Sequence, residues 1–236
     1  VNTSPAIVRK PRKLVFASTD WPSIADQLPP AMPLSARGIG ETVTNHRSSW
    51  VGKLAIDRID IYVKTYEYTA WRDRLRNWGK WTAPGRASRA GRECEALQWL
   101  TANNFPTARP LACLEWRECG FLARASLVTA AFAGDPADQN LAAAPQARRR
   151  EVAAAIGGFV ARLHAAGFRD RNLDLRNLLV QQSPDQITIA KIDSPRFRLV
   201  KAGRRGDKLA DDDWQRLLPQ LAEFEVAEVA HSERIR

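Results

Sequence analysis

Four side chains able to bind or exchange protons through oxygen crowd one short polar stretch of the chain. In HAAGFRDRNLDLRNLLV, His164 to Val180, the residues Asp170, Asn172, Asp174 and Asn177 fall close together, and another carboxylate, Asp193, follows an apolar run at Ile187–Ile192. Carboxylates can accept a proton from a reacting hydroxyl. Asn172 cannot do so in the same way, because its amide nitrogen lone pair is delocalised and its oxygen is a very weak base. Alternate residues of an extended segment point the same way, so Asp170 and Asp174 are the carboxylates expected beside Asn172. Far upstream, Lys64 and Glu93 are two further charged groups. Taken alone, a lysine on a strand and a glutamate on a helix read as surface residues.

The elements that must position these groups can be followed in the hydrophobic pattern. Trp50–Ile56 and Asp60–Tyr66 read as two strands, the second alternating Ile61, Val63 and Thr65 with Tyr62, Lys64 and Tyr66. A turn containing Asp57 and Asp60 joins them as an antiparallel hairpin. Residues 69–84 are basic, hold Trp71, Trp78 and Trp81, and fit neither period. A helix is expected from about Ser88 through RECEALQWL at 92–100, ended by Pro106 and Pro110. Ala112–Trp116 and Gly120–Ala125 read as the next strands. The clearest element is a helix over Pro145–Ala166, with Val152, Ile156, Phe159, Val160 and Leu163 on one stripe and Gly167 as its stop. The polar loop Phe168–Asn177 follows. Leu178–Val180 and Ile187–Ile192 then read as short strands about a turn at Ser183–Gln186. A last helix begins near Asp211, where three aspartates suit the positive end of the helix dipole.

The stretch His164–Val180 resembles the catalytic loop of protein kinases, H-x-x-G-x-x-H-R-D-x-x-x-x-N-x-L. His164, Gly167, Arg171, Asn177 and Leu179 fall into register without a gap, and Asp170 occupies the second histidine position. The resemblance implies that Asn177 is the metal-binding asparagine. Asp193, in KIDSP, takes the place of the metal-binding aspartate of the D-F-G motif, whose phenylalanine and glycine are here Ser194 and Pro195. IYVKTY at 61–66 resembles the strand that carries the phosphate-contacting lysine, here Lys64, with Glu93 as its partner. IYVKTY, the RECEALQWL helix with the FPTARPLA segment at 105–112 that follows it, and the HAAGFRDRNLDLRNLLV loop are most similar to the bacterial lipopolysaccharide kinase family, the Kdo/WaaP group, over roughly residues 45–220.

That resemblance implies an α+β fold: a small bilobal, protein-kinase-like architecture with an antiparallel-sheet N-lobe and a reduced, mostly helical C-lobe. The expected division is an irregular arm at 1–41, an N-lobe at 42–125 and a C-lobe at 126–236. It implies ATP and Mg²⁺ as cofactors, with Lys64, Glu93, Asn177 and Asp193 binding the nucleotide and Asn177 and Asp193 holding the metal. The acceptor would be a sugar hydroxyl, Kdo or heptose, of the lipopolysaccharide core or another anionic glycan. The work would be done in the cytoplasm, at the cytoplasmic face of the inner membrane. One departure matters most: the catalytic aspartate of the family falls on Asn172. Asp170 and Asp174 are therefore the candidates to replace it, and a pseudokinase that keeps nucleotide binding is the competing reading. The glycine-rich loop is a second departure. Ser48, Ser49, Trp50 and Gly52 lie near the start of the hairpin and Gly38–Gly40 somewhat earlier, and neither group completes G-x-G-x-x-G.

Bulk properties agree with this class without selecting it. The 236 residues are 44% hydrophobic and 26% charged, with a formal net charge of +10, as expected of a globular protein with an anionic partner. Basic groups lie at Arg9–Lys13, Arg148–Arg150 and Arg196–Lys208. Nucleic acid as that partner rests on charge alone and is set aside. No run approaches the roughly 18 apolar residues of a membrane span, and the opening residues are not read as a signal peptide. Cys94, Cys113 and Cys119 lack metal-ligand spacing and suit a reducing compartment.

Overall fold

The computed structural model describes residues 13–28, 37–56, 59–183, 186–203 and 207–234, which form two compact units. The first takes in the described residues up to Cys94 together with Pro110–Ala131, and the second Glu95–Arg109 with Phe132 onward.

The first unit is built on one six-stranded antiparallel sheet. Its strands are β1 (Lys13–Ala17), β2 (Glu41–His46), β3 (Ser49–Ile56), β4 (Ile59–Glu67), β5 (Pro110–Glu118) and β6 (Phe121–Ala130), in the order β1-β5-β6-β4-β3-β2. Strands β3 and β4 form the expected antiparallel hairpin, with Val51 opposite Lys64 and Gly52 opposite Val63. The residues Asp57 and Arg58 of its turn lie outside the described residues. On β4 the β-branched Ile61, Val63 and Thr65 are buried while Tyr62 and Lys64 are half-buried, as period-two alternation requires. Ile61 and Val63 join a cluster with Ile39, Ile56, Leu111, Leu114 and Val128. Trp21 and Ile24 of the short helix α1 (Trp21–Asp26) complete it. Part of the stretch read as an irregular arm is thus regular, since Lys13–Ala17 pairs with β5. The basic segment after β4 is helical, with α2 at Trp71–Arg76 and a π-helical turn at Trp78–Thr82.

Helix α3 (Arg89–Ala102) begins in the first unit and ends in the second. The second unit contains α4 (Ala137–Ala143) and the long α5 (Gln146–Ala165), which buries Val152, Ile156, Phe159, Val160 and Leu163. Gly167, at φ +93, ends that run. The two-residue strands β7 (Asp135–Pro136), β8 (Phe168–Arg169) and β11 (Arg198–Leu199) accompany the hairpin β9 (Leu178–Gln182) and β10 (Ile187–Lys191). At the turn of that hairpin, Pro184 and Asp185 lie outside the described residues. Helices α6 (Lys208–Ala222) and α7 (Ala227–Ser232) close the order. Helix α6 starts earlier than its aspartate run suggests, because Asp207 caps it by accepting the Ala210 N–H at 3.0 Å.

Candidate functional site

In the first unit, Lys64 and Glu93 form an ion pair, Nζ to Oε1 at 3.0 Å. Strand β4 holds the lysine half-buried, and the first part of α3 holds the glutamate with only 6% of its side chain exposed. Tyr66, on the same face of β4 as Lys64, donates its hydroxyl to the other carboxylate oxygen, Oε2, at 2.9 Å. The glutamate is therefore fixed from both oxygens. This pairing directs an ammonium group held at the end of a flexible stem.

The glycines considered for a phosphate loop have a packing role. A Cβ on Gly52 would sit 2.0 Å from the Ile39 carbonyl oxygen, and one on Gly40 would sit 2.0 Å from that of Lys53. The chain at 39–40 crosses β3 at main-chain contact, and only residues without a side chain fit there. Ser48 lies at the β2–β3 turn, and its carbonyl accepts the Glu67 N–H at 2.9 Å.

In the second unit, hairpin register brings the polar residues together. Leu178 pairs with Lys191, so Asn177 comes opposite Ile192 and takes its N–H on the main-chain oxygen at 3.0 Å. That leaves Asp193 one residue beyond. Asn177 Nδ2 donates to the Asn172 carbonyl at 3.1 Å, and Asn172 Nδ2 donates to Asp193 at both its carbonyl (3.0 Å) and its Oδ2 (3.2 Å). Asn172, Asn177 and Asp193 are thus one hydrogen-bonded group. Asp193 has a left-handed backbone, φ +56, a conformation aspartate tolerates better than most residues.

Asp170 and Asp174, the carboxylates expected beside Asn172, are each held by a cation, Lys191 and Arg216. Arg171 has φ +59, and this left-handed residue breaks the extended alternation between Asp170 and Asn172. Asp170 has no exposed surface and lies 3.2 Å from the ammonium of Lys191, itself wholly buried. Burial pushes the Asp170 carboxyl up to about 6, against the opposing charge of Lys191. Asp174 is gripped by Arg216 at 2.7 and 2.8 Å, with Gln220 at 3.3 Å. Burial pushes its carboxyl up, but the hydrogen bonds and charge of Arg216 outweigh that and hold it below the usual range.

The residue that organises the loop is Asp213, which is 1% exposed. Its Oδ2 accepts the Asp170 N–H at 2.9 Å, its Oδ1 accepts the Arg171 N–H at 2.7 Å, and His164 Nε2 lies 3.1 Å from Oδ2. Arg169, fully buried, reaches Asp207 at the N-terminus of α6. Helix α6 therefore braces the loop through Asp207, Asp213, Arg216 and Gln220. Sequence reading assigns Asp213 to the helix dipole. The signal it misses is periodicity: Ala210, Asp213, Trp214, Leu217 and Leu221 lie on the one buried stripe, and a carboxylate there needs partners. Lys191 is likewise hidden at the end of an apolar strand. The segment at 105–107 also fixes that strand end, since Lys191 N–H donates to Pro106 O and Thr107 Oγ1 donates to Lys191 O.

Among the described residues no three His, Cys, Asp or Glu side chains gather to cage a metal. A magnesium ion in phosphate chemistry asks for less: one or two protein oxygens, the rest being water and phosphate. Asn177 and Asp193 fit that requirement. Asn177 uses its amide N–H on Asn172, which turns Oδ1 to the other side, and Asp193 is only half-buried.

Comparison with known proteins identifies the family and the fold. The family model described as "Lipopolysaccharide kinase (Kdo/WaaP) family" matches residues 41–231. None of the curated proteins matches the chain. Among solved structures, "WaaP in complex with acyl carrier protein" superposes with a TM-score of 0.60 at 16% identity, covering 84% of this chain and 77% of that one. The fold is therefore protein-kinase-like, with an antiparallel sheet in its N-terminal unit and a more helical C-terminal unit.

Proposed function

Because the chain belongs to the lipopolysaccharide kinase (Kdo/WaaP) family, we propose that it is an ATP-dependent phosphotransferase whose acceptor is a sugar hydroxyl, of Kdo or heptose, in the lipopolysaccharide core. The observation that carries this reading is the joined group Asn172–Asn177–Asp193, in which hydrogen bonds through Asn172 link the two residues that match the metal-ligand positions of the family motif. The Lys64–Glu93 pair supplies the ammonium for the nucleotide phosphates. Asn177 and Asp193 would hold magnesium, which when bound offsets the negative charge of nucleotide phosphates. Asp213 and Asp207 keep the loop in place, so positioning, the main demand of phosphoryl transfer, is built in. The solved relative is in complex with an acyl carrier protein, and such a carrier is a second candidate partner. A lipid-linked acceptor places the work at the cytoplasmic face of the inner membrane, as a peripheral protein. Among the described residues no helix is long and apolar enough to cross a membrane.

A second reading has a specific observation in its favour. Asn172 cannot act as a carboxylate base, and both neighbouring carboxylates are engaged, Asp170 by Lys191 and Asp174 by Arg216. Loss of a general base costs about 10²–10⁴ in rate, so a pseudokinase that binds nucleotide is the alternative. The test is transfer from radiolabelled ATP, with Mg²⁺, to purified core oligosaccharides that end in Kdo or heptose. The wild type should label the acceptor, and Asp193→Asn should not. If Asp174→Asn or Asp170→Asn lowers that rate while the protein stays folded, the carboxylate concerned takes part. Nucleotide binding with no labelling of any core acceptor would favour the pseudokinase.

A further inference from the structure

The segment after β4 displays what a folded protein usually hides. Trp71, Leu75 and Trp78 are 54%, 63% and 43% exposed. Trp71 and Leu75 stand four residues apart and share one face of α2, and Trp78 opens the π-helical turn that follows. Phe121 of β6 meets both indoles, with ring centroids 5.1 Å from Trp71 and 4.9 Å from Trp78, and so extends the apolar surface. Arg72, Arg76 and Lys80 follow these apolar residues by one or two positions and are exposed. Across 71–86 five cations stand against the single carboxylate Asp73.

The display is held in place. On the inner side of the same helix Arg74 is 2% exposed. It donates to the carbonyls of Tyr68 at 2.7 Å and Thr69 at 3.2 Å, and to Glu118 Oε2 at 2.7 Å. The buried Thr82 hydroxyl donates to the Arg74 carbonyl. A helix clamped this firmly by its inner face presents its outer face in a fixed orientation.

We infer that this outer face docks on an anionic lipid bilayer. Indole rings favour the boundary between head groups and acyl chains. Leu75 supplies purely apolar surface beside them, and long cationic side chains lie with their stems along apolar surface and their charges out toward lipid phosphates. Apolar surface and flanking cations together are the composition of an interfacial helix, and the positive charge of the segment complements an anionic leaflet. The inference deepens the functional reading and rests on it in one respect, that the acceptor is carried by a membrane lipid.

The experiment is co-sedimentation of the full chain with phosphatidylethanolamine–phosphatidylglycerol vesicles, at low and high salt, with phosphatidylcholine vesicles as the neutral control. The wild type should partition onto the anionic vesicles and lose that binding as salt rises. Each surface cation contributes about fivefold to such partitioning. The variant Arg72→Glu/Arg76→Glu/Lys80→Glu and the variant Trp71→Ser/Leu75→Ser/Trp78→Ser should each bind at least about tenfold more weakly, with unchanged thermal unfolding. Both should phosphorylate a water-soluble, deacylated core acceptor as the wild type does. Wild type that ignores anionic vesicles, or variants that partition as it does, would overturn the inference. So would a face that captures an acidic protein and no bilayer. Vesicle binding that depends on this face, with no transfer to any acceptor, would uphold the docking surface and sink the kinase reading. Transfer to the soluble acceptor without vesicle binding would do the reverse.

Discussion

Asn172 donates its side-chain amide to Asp193, 3.0 Å from the carbonyl oxygen and 3.2 Å from the carboxylate Oδ2. A carboxylate at position 172 could not make these bonds and would set two negative charges against each other. Asn172→Asp should therefore cost about 1–3 kcal/mol of stability without magnesium, and millimolar Mg²⁺ should restore most of it. With ATP and a core acceptor, the same change should raise turnover by about 10²–10⁴, the value of a general base. Thermal unfolding with and without Mg²⁺, alongside acceptor labelling, checks both halves. An unchanged rate in a folded variant would mean that the missing base is not what limits the protein.

How much of this was legible in the sequence depends on whether a residue's role is local. Lys64 alternates within IYVKTY and gains its role from the resemblance to the kinase motifs, which also names Asn177 and Asp193 as a pair. Asp213 does not show itself, because its partners, the N–H groups of Asp170 and Arg171, are more than forty residues away. The alternation expected to carry Asp170 beside Asn172 is broken at Arg171, whose positive φ no side chain announces. The Trp-rich stretch at 69–84 fits no single period because a short α-helix runs into a π-helical turn. Glycines 40 and 52 invite a phosphate reading, yet they are required by a main-chain crossing that only the fold reveals.

Tyr66 is a positioning residue for Glu93. Removing its hydroxyl in Tyr66→Phe leaves Glu93 Oε2 without that donor while the ring still packs. Stability should fall by about 1–2 kcal/mol, and ATP should bind about fivefold more weakly as the Lys64 partner loosens. A purely structural role would lower the melting temperature and leave nucleotide affinity untouched, and calorimetric titration separates the two.

Asp213 carries two loop N–H groups from within the core. Asp213→Ala leaves both without their acceptor and removes the partner of His164. The loss should be about 3 kcal/mol or more, which lowers Tm by about 10 °C in a chain of this size. Asp213→Asn keeps one acceptor oxygen and should lose less. Equal melting temperatures for wild type and Asp213→Ala would refute the bracing role.

The buried Asp170 gives stability a pH dependence of unusual sign for a carboxylate. Its folded pKa, about 6, lies above the ordinary 3.8, so the folded state binds the proton more tightly than the unfolded chain. Its contribution is fully present below about pH 4 and is lost as pH rises through 6, by roughly 2–3 kcal/mol. In Asp170→Asn that component should vanish. Denaturant unfolding of both proteins from pH 4 to 7 measures it, and parallel curves would show that Asp170 does not titrate in this window.

The central claim is that Asn177 and Asp193, joined through Asn172, serve a magnesium-bound nucleotide. Calorimetric titration of ATP with Mg²⁺ into wild type, Asn177→Ala and Asp193→Asn tests it directly. The wild type should bind, both substitutions should weaken binding by at least about tenfold, and omitting Mg²⁺ should reduce the difference made by Asp193→Asn. Absence of binding at millimolar ATP, or binding that neither substitution disturbs, would contradict the claim.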